Sequence, residues 1–285
     1  MSARRLVQAI ARRAAGRYVV GPELDHALAK CRQLALQGFA TTICAWNCEQ
    51  SHADDNAARC LDGINAVASE QLDCHVSLKA LDLGFSPCLI ERAATSALLR
   101  DVRLHFDSMG PEVADETLSI VCRLSKVGFK PGYTIPGRWR RSLSDAELVS
   151  DLGLPVRVVK GQWPDPDEPQ MDLRMGFRHV IDRLAGRARH VAVATHDPGL
   201  ARAALHRLRE SGTQCELELL FGMPLRAGVQ VGHEMGVPIR IYVPYGHPWL
   251  PYALGQVRKN PGIAWRTLRD ILAGYGPDAN EDLRR

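Results

Sequence analysis

Residues 190–219 read HVAVATHDPGLARAALHRLRESGTQCELEL, and this stretch decides the fold. His190 to Thr195 is a short run with β-branched residues and predicts a strand. Pro198 to Ser211 carries apolar residues at helical spacing, with Asp197 and Pro198 marking the helix start. Cys215 to Leu219 then predicts a second strand. Two strands joined through a helix lie parallel, because parallel neighbours need a crossover.

The same unit recurs along the chain. Further strands are expected at Thr41–Ala45, Cys74–Lys79, Val102–Asp107, Gly128–Ile135, Val156–Lys160 and Ile239–Val243. Helical patterns follow at Asp54–Ser69, Pro87–Leu99, Pro111–Leu124, Asp145–Gly153, Gln170–Gly186, Ala227–Met235 and Pro251–Leu272. Eight such units favour closure into a (β/α)₈ TIM-type barrel over an open doubly wound sheet. A dinucleotide-binding sheet would carry G-x-G-x-x-G after an early strand, and neither that motif nor a phosphate-binding G-x-x-x-x-G-K-[ST] occurs. Residues 2–38 read as one or two helices that cap the barrel. The expected organisation is a helical extension over 1–40, a barrel over 41–275 and a frayed tail over 276–285.

Composition sets the outer limits. With 285 residues, 46% hydrophobic and 24% charged, the chain can bury one large core. A net charge of +4, spread along the sequence, is too diffuse to argue for nucleic acid. No apolar run approaches the ~20 residues of a membrane helix. Eight scattered cysteines without a secretory signal suggest reduced thiols, so the cytoplasm is the expected compartment, with peripheral membrane contact compatible. Cys44, Cys48 and His52 are spaced by four, but Cys44 falls in a strand, so no metal site is expected there. A homo-oligomer is compatible with all of this.

Barrel chemistry gathers at the C-terminal ends of the strands. Those ends carry Lys79, Asp107, Arg157 with Lys160, Thr195-His196-Asp197, and Tyr242 to His247. A charged residue at an inward strand end is costly unless paired. Lys79 and Asp107, on neighbouring strands, would satisfy each other, either as a structural bridge or as part of a site. Three cations around one mouth, Lys79, Arg157 and Lys160, point to an anionic ligand.

Five strings at those ends resemble the proline dehydrogenases: VSLKALDLG (76–84), LHFDSMGPEVADETL (104–118), VRVVKGQW (156–163), ATHD (194–197) and IYVPYGHPWLPYAL (241–254). They stand in the family's order over roughly residues 40–272. The resemblance implies FAD at the strand ends and hydride transfer from a carbon–nitrogen bond to the flavin. By position, Arg157 resembles the arginine beside the flavin ring. Val159, Lys160 and Gly161, with Thr195, His196 and Asp197, resemble further cofactor contacts. Lys79 and Asp107 resemble the substrate-side lysine and its carboxylate partner, and Tyr242 and Tyr252 the tyrosines that wall the pocket.

The departures concern the substrate. The family carries paired arginines after the last tyrosine to clamp a carboxylate, whereas this chain reads Tyr252-Ala253-Leu254-Gly255-Gln256. Arg258, three residues past Gly255, shares its helical face and offers a relocated guanidinium beside Gln256. Trp163 stands where the family has a tyrosine, Gln162 where it has a small residue, and Pro136 where it has a flavin-contacting glutamine. The expected activity is therefore a flavin-dependent dehydrogenase acting on a proline-like amino acid or other secondary amine, passing electrons to a quinone or another acceptor. A flavin-binding homologue without proline turnover, or a barrel lyase using Lys79 as a Schiff-base amine, are the alternatives.

Overall fold

The computed structural model describes residues 18–47 and 51–247. These form the strands β1 (Ala40–Trp46), β2 (Cys74–Leu78), β3 (Leu104–Phe106), β4 (Gly132–Pro136), β5 (Val156–Val159), β6 (His190–Ala194), β7 (Gln214–Leu220) and β8 (Ile239–Gly246). All neighbours are parallel, and β8 pairs with β1 to close the barrel. Helices lie between them: α2 (Ala53–Glu70), α3 (Pro87–Leu99), α4 (Ala114–Lys126), α5 (Ser142–Asp151), α6 (Leu173–Leu184), α7 (Pro198–Glu210) and α8 (Arg226–Met235). The helix expected at Pro251–Leu272 falls outside the described residues.

The expected (β/α)₈ barrel is present, and its helix starts follow local chemistry. Ser86 accepts the Leu89 N–H ahead of Pro87, and Asp197 accepts the Leu200 N–H at 3.0 Å ahead of Pro198. Element ends differ from expectation where backbone geometry intervenes. β4 starts at Gly132 rather than Gly128, because Gly128 takes φ +97° and turns the chain off the end of α4. β8 runs past Val243 despite Pro244, whose carbonyl accepts the Val20 N–H at 3.0 Å while the ladder with β1 continues.

The segment before the barrel contributes α1 (Leu24–Ala35), which packs on β1 and β8. Its buried face is Ala27, Leu28, Cys31 and Leu34.

Two cores result. Outward strand residues such as Ile135, Val158, Val193, Leu217, Ile241 and Val243 are buried with Phe177, Val180 and Leu205 of the helices. Inside the barrel the filling is polar, where bulky branched side chains are usual. Arg240 donates to Glu216 at 2.9 Å and to the Thr41 carbonyl at 2.7 Å, forming one buried level. His105 meets the Thr134 hydroxyl at 3.0 Å, and Arg157 with Glu218 forms the level nearer the strand C-termini.

Candidate active site

Arg157 projects from β5 into the barrel mouth, buried, and is the hub of the site. Its Nε and Nη2 donate to the two Glu218 carboxylate oxygens at 2.7 and 2.8 Å. Its Nη1 donates to Asp107 Oδ1 at 2.6 Å and reaches the Ser77 hydroxyl at 3.3 Å. The Tyr242 ring lies 5.0 Å from the guanidinium carbon, within cation–π range. Burial works against the Arg157 charge, but Glu218 and Asp107 outweigh it and raise its pKa.

Asp107 follows β3 directly and accepts three bonds. Besides Arg157 these come from the Ser77 hydroxyl at 2.7 Å and the Tyr242 hydroxyl at 2.6 Å, with the Cys44 thiol 3.8 Å away. Burial and the Asp107 carboxylate push the Tyr242 phenol well up, so it stays protonated and can donate.

Lys79 corrects one expectation. It reaches this cluster, but its ion-pair partner is Asp82, at 3.8 Å, and not Asp107. Asp107 is already taken by the bidentate-capable Arg157, while Asp82 sits one turn past Lys79 on the 3₁₀ turn Ala80–Leu83. The Lys79 ammonium also donates to Cys44 Sγ at 3.5 Å, and Asn47 donates to Asp82 at 2.9 Å. Burial pulls the Lys79 pKa down, but Cys44, Asp82 and Asp107 together raise it. The Cys44 thiol itself is pushed up to about 11 by burial, so at neutral pH the two carboxylates hold the Lys79 charge.

The remaining expected residues ring the same end of the barrel. Val159 ends β5 with Lys160 and Gly161 directly after it, and the Val159 carbonyl accepts the Gly137 N–H at 2.7 Å. Gly161 takes φ +90°, and a Cβ there would stand 2.9 Å from Arg138 and Pro136. Arg138 donates to the Gln162 carbonyl and Trp139 to the Trp163 carbonyl, each at 3.0 Å. The stretch 136–141 is thus a packed wall of the rim, with Trp139 buried and Arg138 Nε buried without a partner among the described residues.

Just past β6 the side chains serve the frame. His196 accepts the Leu220 N–H at 2.9 Å on Nε2 and lies 3.2 Å from the Pro224 carbonyl on Nδ1, which sets a neutral tautomer with Nδ1 protonated. Burial lowers its pKa in the same sense. Asp197 caps α7 and pairs with Arg174. Thr195 is buried, its hydroxyl accepting the Asp197 N–H at 3.2 Å. Both His196 nitrogens and the Asp197 carboxylate are therefore committed to protein. Tyr252, Gln256, Arg258 and Cys48 lie outside the described residues.

Sequence reasoning missed Glu218, Ser77, Thr134, Cys44 and Asp82. Four of them were legible from strand period, since Ser77 shares Lys79's parity and Glu218, Thr134 and Cys44 are polar residues inside strands. Asp82 comes from a turn with no periodic signal.

No family model matches the chain. Proline dehydrogenase 1 of Bacillus subtilis subsp. natto is 28% identical over 278 residues, covering 90% of each chain. Proline dehydrogenase 2 of Bacillus subtilis strain 168 is 23% identical, covering 87% of each. Among solved structures, proline utilization A from Bdellovibrio bacteriovorus, inactivated by N-propargylglycine, superposes with a TM-score of 0.74 at 18% identity over 87% of this chain. Proline utilization A from Corynebacterium freiburgense gives 0.72 at 17% identity over 96%. The chain spans 32% and 33% of the length of those two structures, whose likeness carries the fold alone. Along about nine-tenths of its length the chain is similar in sequence to the proline dehydrogenases of Bacillus subtilis.

Proposed function

We propose that the chain is an FAD-dependent dehydrogenase that oxidises the carbon–nitrogen bond of proline or a proline-like secondary amine. The observation that carries this reading is the convergence of Lys79, Asp107, Arg157 and Tyr242, from four different strands, on one barrel mouth. The strings 76–84, 104–118, 156–163, 194–197 and 241–254 support it from the sequence, as do the proline dehydrogenases of Bacillus subtilis.

The rim suits a flavin dinucleotide in its donor chemistry. Arg138 Nε is a buried donor without a partner among the described residues, a group that an acceptor of the ligand would satisfy. Arg157, Lys160 and the backbone at Val159–Gly161 would hold the ring edge and phosphates, with Thr195 to Asp197 contributing backbone. When bound, FAD supplies the hydride acceptor.

The chain's residues would bind and orient the amine. Asp107 Oδ2, steadied by Tyr242, faces the mouth as the carboxylate that holds the amine nitrogen and its proton. Lys79, fixed as an ammonium by Asp82, supplies a positive charge beside it. Tyr242 and Tyr252 would wall the ring, and Trp163, Gln256 and Arg258 would bound the carboxylate side. We read residues 41–275 as the catalytic barrel, working in the cytoplasm and passing electrons to a quinone or similar acceptor. The Schiff-base alternative is disfavoured because it needs a neutral Lys79 amine, and this lysine is held charged.

Turnover of L-proline with a quinone acceptor, read as formation of the cyclic imine, tests the reading. Imine formed in step with acceptor reduction is the expected result. A protein that takes up FAD yet forms no imine from proline or pyrrolidine would refute it.

A further inference from the structure

Arg157 is a cation held between two carboxylates, and the second of them, Glu218, belongs to neither the substrate nor the cofactor contacts read above. Glu218 is buried on β7 and meets the guanidinium as a two-point fork at 2.7 and 2.8 Å. Asp107 takes Nη1 at 2.6 Å, with Ser77 at 3.3 Å and Thr134 at 3.5 Å sharing the same nitrogen. Of five guanidinium N–H groups, one on Nη2 has no partner among the described residues. The fork fixes where that N–H points, because two parallel bonds from Nε and Nη2 hold the planar guanidinium in one orientation. It also cancels charge, since a carboxylate in contact with a cation in a low-dielectric interior sharply reduces the field the cation projects.

We propose that Glu218 is a positioning residue that acts through Arg157: it aims the guanidinium at the flavin and lowers the bound flavin's affinity for electrons by offsetting the Arg157 charge. This rests on the flavin reading above. A bare arginine at the ring would favour the electron-rich reduced flavin and make it slow to give its electrons up. An arginine already neutralised on two sides still donates a hydrogen bond but stabilises the reduced form less. Such a flavin returns electrons readily to the acceptor, which the reaction needs in its second half. Asp107 cannot take over this role, because it is also bonded to Tyr242 and faces the mouth.

The test is the two-electron midpoint potential of bound FAD in four proteins: the natural chain, Glu218→Gln, Arg157→Gln, and the double variant. Glu218→Gln is expected to raise the reduced-to-oxidised ratio at a fixed potential about tenfold, equivalent to ~30 mV for a two-electron couple. In the Arg157→Gln background the same change should move the ratio less than about twofold, because the intermediary is gone. Equal shifts in both backgrounds, or none in the first, would overturn the proposal. Removing one partner of a buried ion pair endangers folding, whereas two facing carboxamides replace it without an uncompensated charge. If Glu218→Gln does not fold, Glu218→Asp, which keeps the charge but shortens its reach to Arg157, takes its place; a raised reduced-to-oxidised ratio supports the proposal and an unchanged one overturns it. A natural chain that takes up no FAD fails the flavin reading itself, a result distinct from unchanged potentials in flavin-loaded proteins.

Discussion

Asp107 joins Tyr242 and Ser77 to the cationic hub Arg157, accepting Ser77 and Arg157 on Oδ1 and Tyr242 on Oδ2. Asp107→Asn places an amide where acceptors are needed and leaves Arg157 with Glu218 alone. Truncating one side of a buried, hydrogen-bonded charge contact to a bound partner costs about 2–5 kcal/mol, and the partial exposure of Asp107 puts the lost contact to the amine at about 3 kcal/mol. The expected outcome is a kcat/KM for amine oxidation reduced at least about a hundredfold, by the tenfold-per-1.4 kcal/mol rule. Tyr242→Phe keeps the ring over Arg157 and removes one charge-assisted bond, so a loss of about tenfold is expected. Steady-state kinetics on folded variants check both. At the carboxylate side, Arg258→Ala should raise KM for proline about tenfold or more while leaving pyrrolidine, which has no carboxylate, unchanged. Equal effects on both amines would remove Arg258 from substrate binding. At this scale the sequence identified the charged residues at strand ends but mispaired one of them. Lys79 was matched to Asp107 because strand adjacency is readable, whereas a turn that brings Asp82 back beside Lys79 is not.

The elements explain why some rim residues serve the frame rather than the ligand. Asp197 caps α7 and holds Arg174, so Asp197→Ala should lower stability by about 1 kcal/mol. Its effect on FAD affinity should be small, because only its backbone is free to touch a cofactor. Thermal melts with and without FAD separate the two effects. Gly137 follows β4, and a Cβ there would meet the Phe177 backbone of α6 at 2.5 Å. Gly137→Ala must push α6 away from the rim, costing about 1–3 kcal/mol and loosening the wall formed by Arg138 and Trp139. Every strand expected from the sequence is present, since short runs between helices carry a strong period. The ends shifted where the cause was backbone: a glycine at φ +97° before β4, and a 3₁₀ turn, Pro111–Val113, ahead of α4.

The barrel as a whole encloses charge and imidazole in place of an oily interior, and its stability should depend on pH accordingly. Burial, reinforced by Arg240, Arg103 and Arg157, holds His75 and His105 well below the ordinary value of 6.5. His190 is lowered too, by burial against an opposing Glu216. Below 6.5 the unfolded chain binds protons that the folded chain refuses, so stability is full above that pH and falls as pH drops. Each such histidine contributes a slope of up to about 1.4 kcal/mol per pH unit, and His105→Gln should flatten the decline, as measured by urea unfolding between neutral and mildly acidic pH. The polar interior was only partly legible: Arg157 and Asp107 stood out at strand ends, while Glu216 and Arg240 became partners only once β7 and β8 were set in register, and Glu218 met Arg157 only across the closed barrel. Closure of the barrel turns these separate strands into one mouth, and the most direct trial of that claim is a spectrum. Purified protein loaded with FAD and mixed with L-proline without oxygen should lose the yellow flavin absorbance in the natural chain and keep it in Asp107→Asn. Flavin that stays oxidised in the natural chain, or bleaches equally in both, would contradict the account.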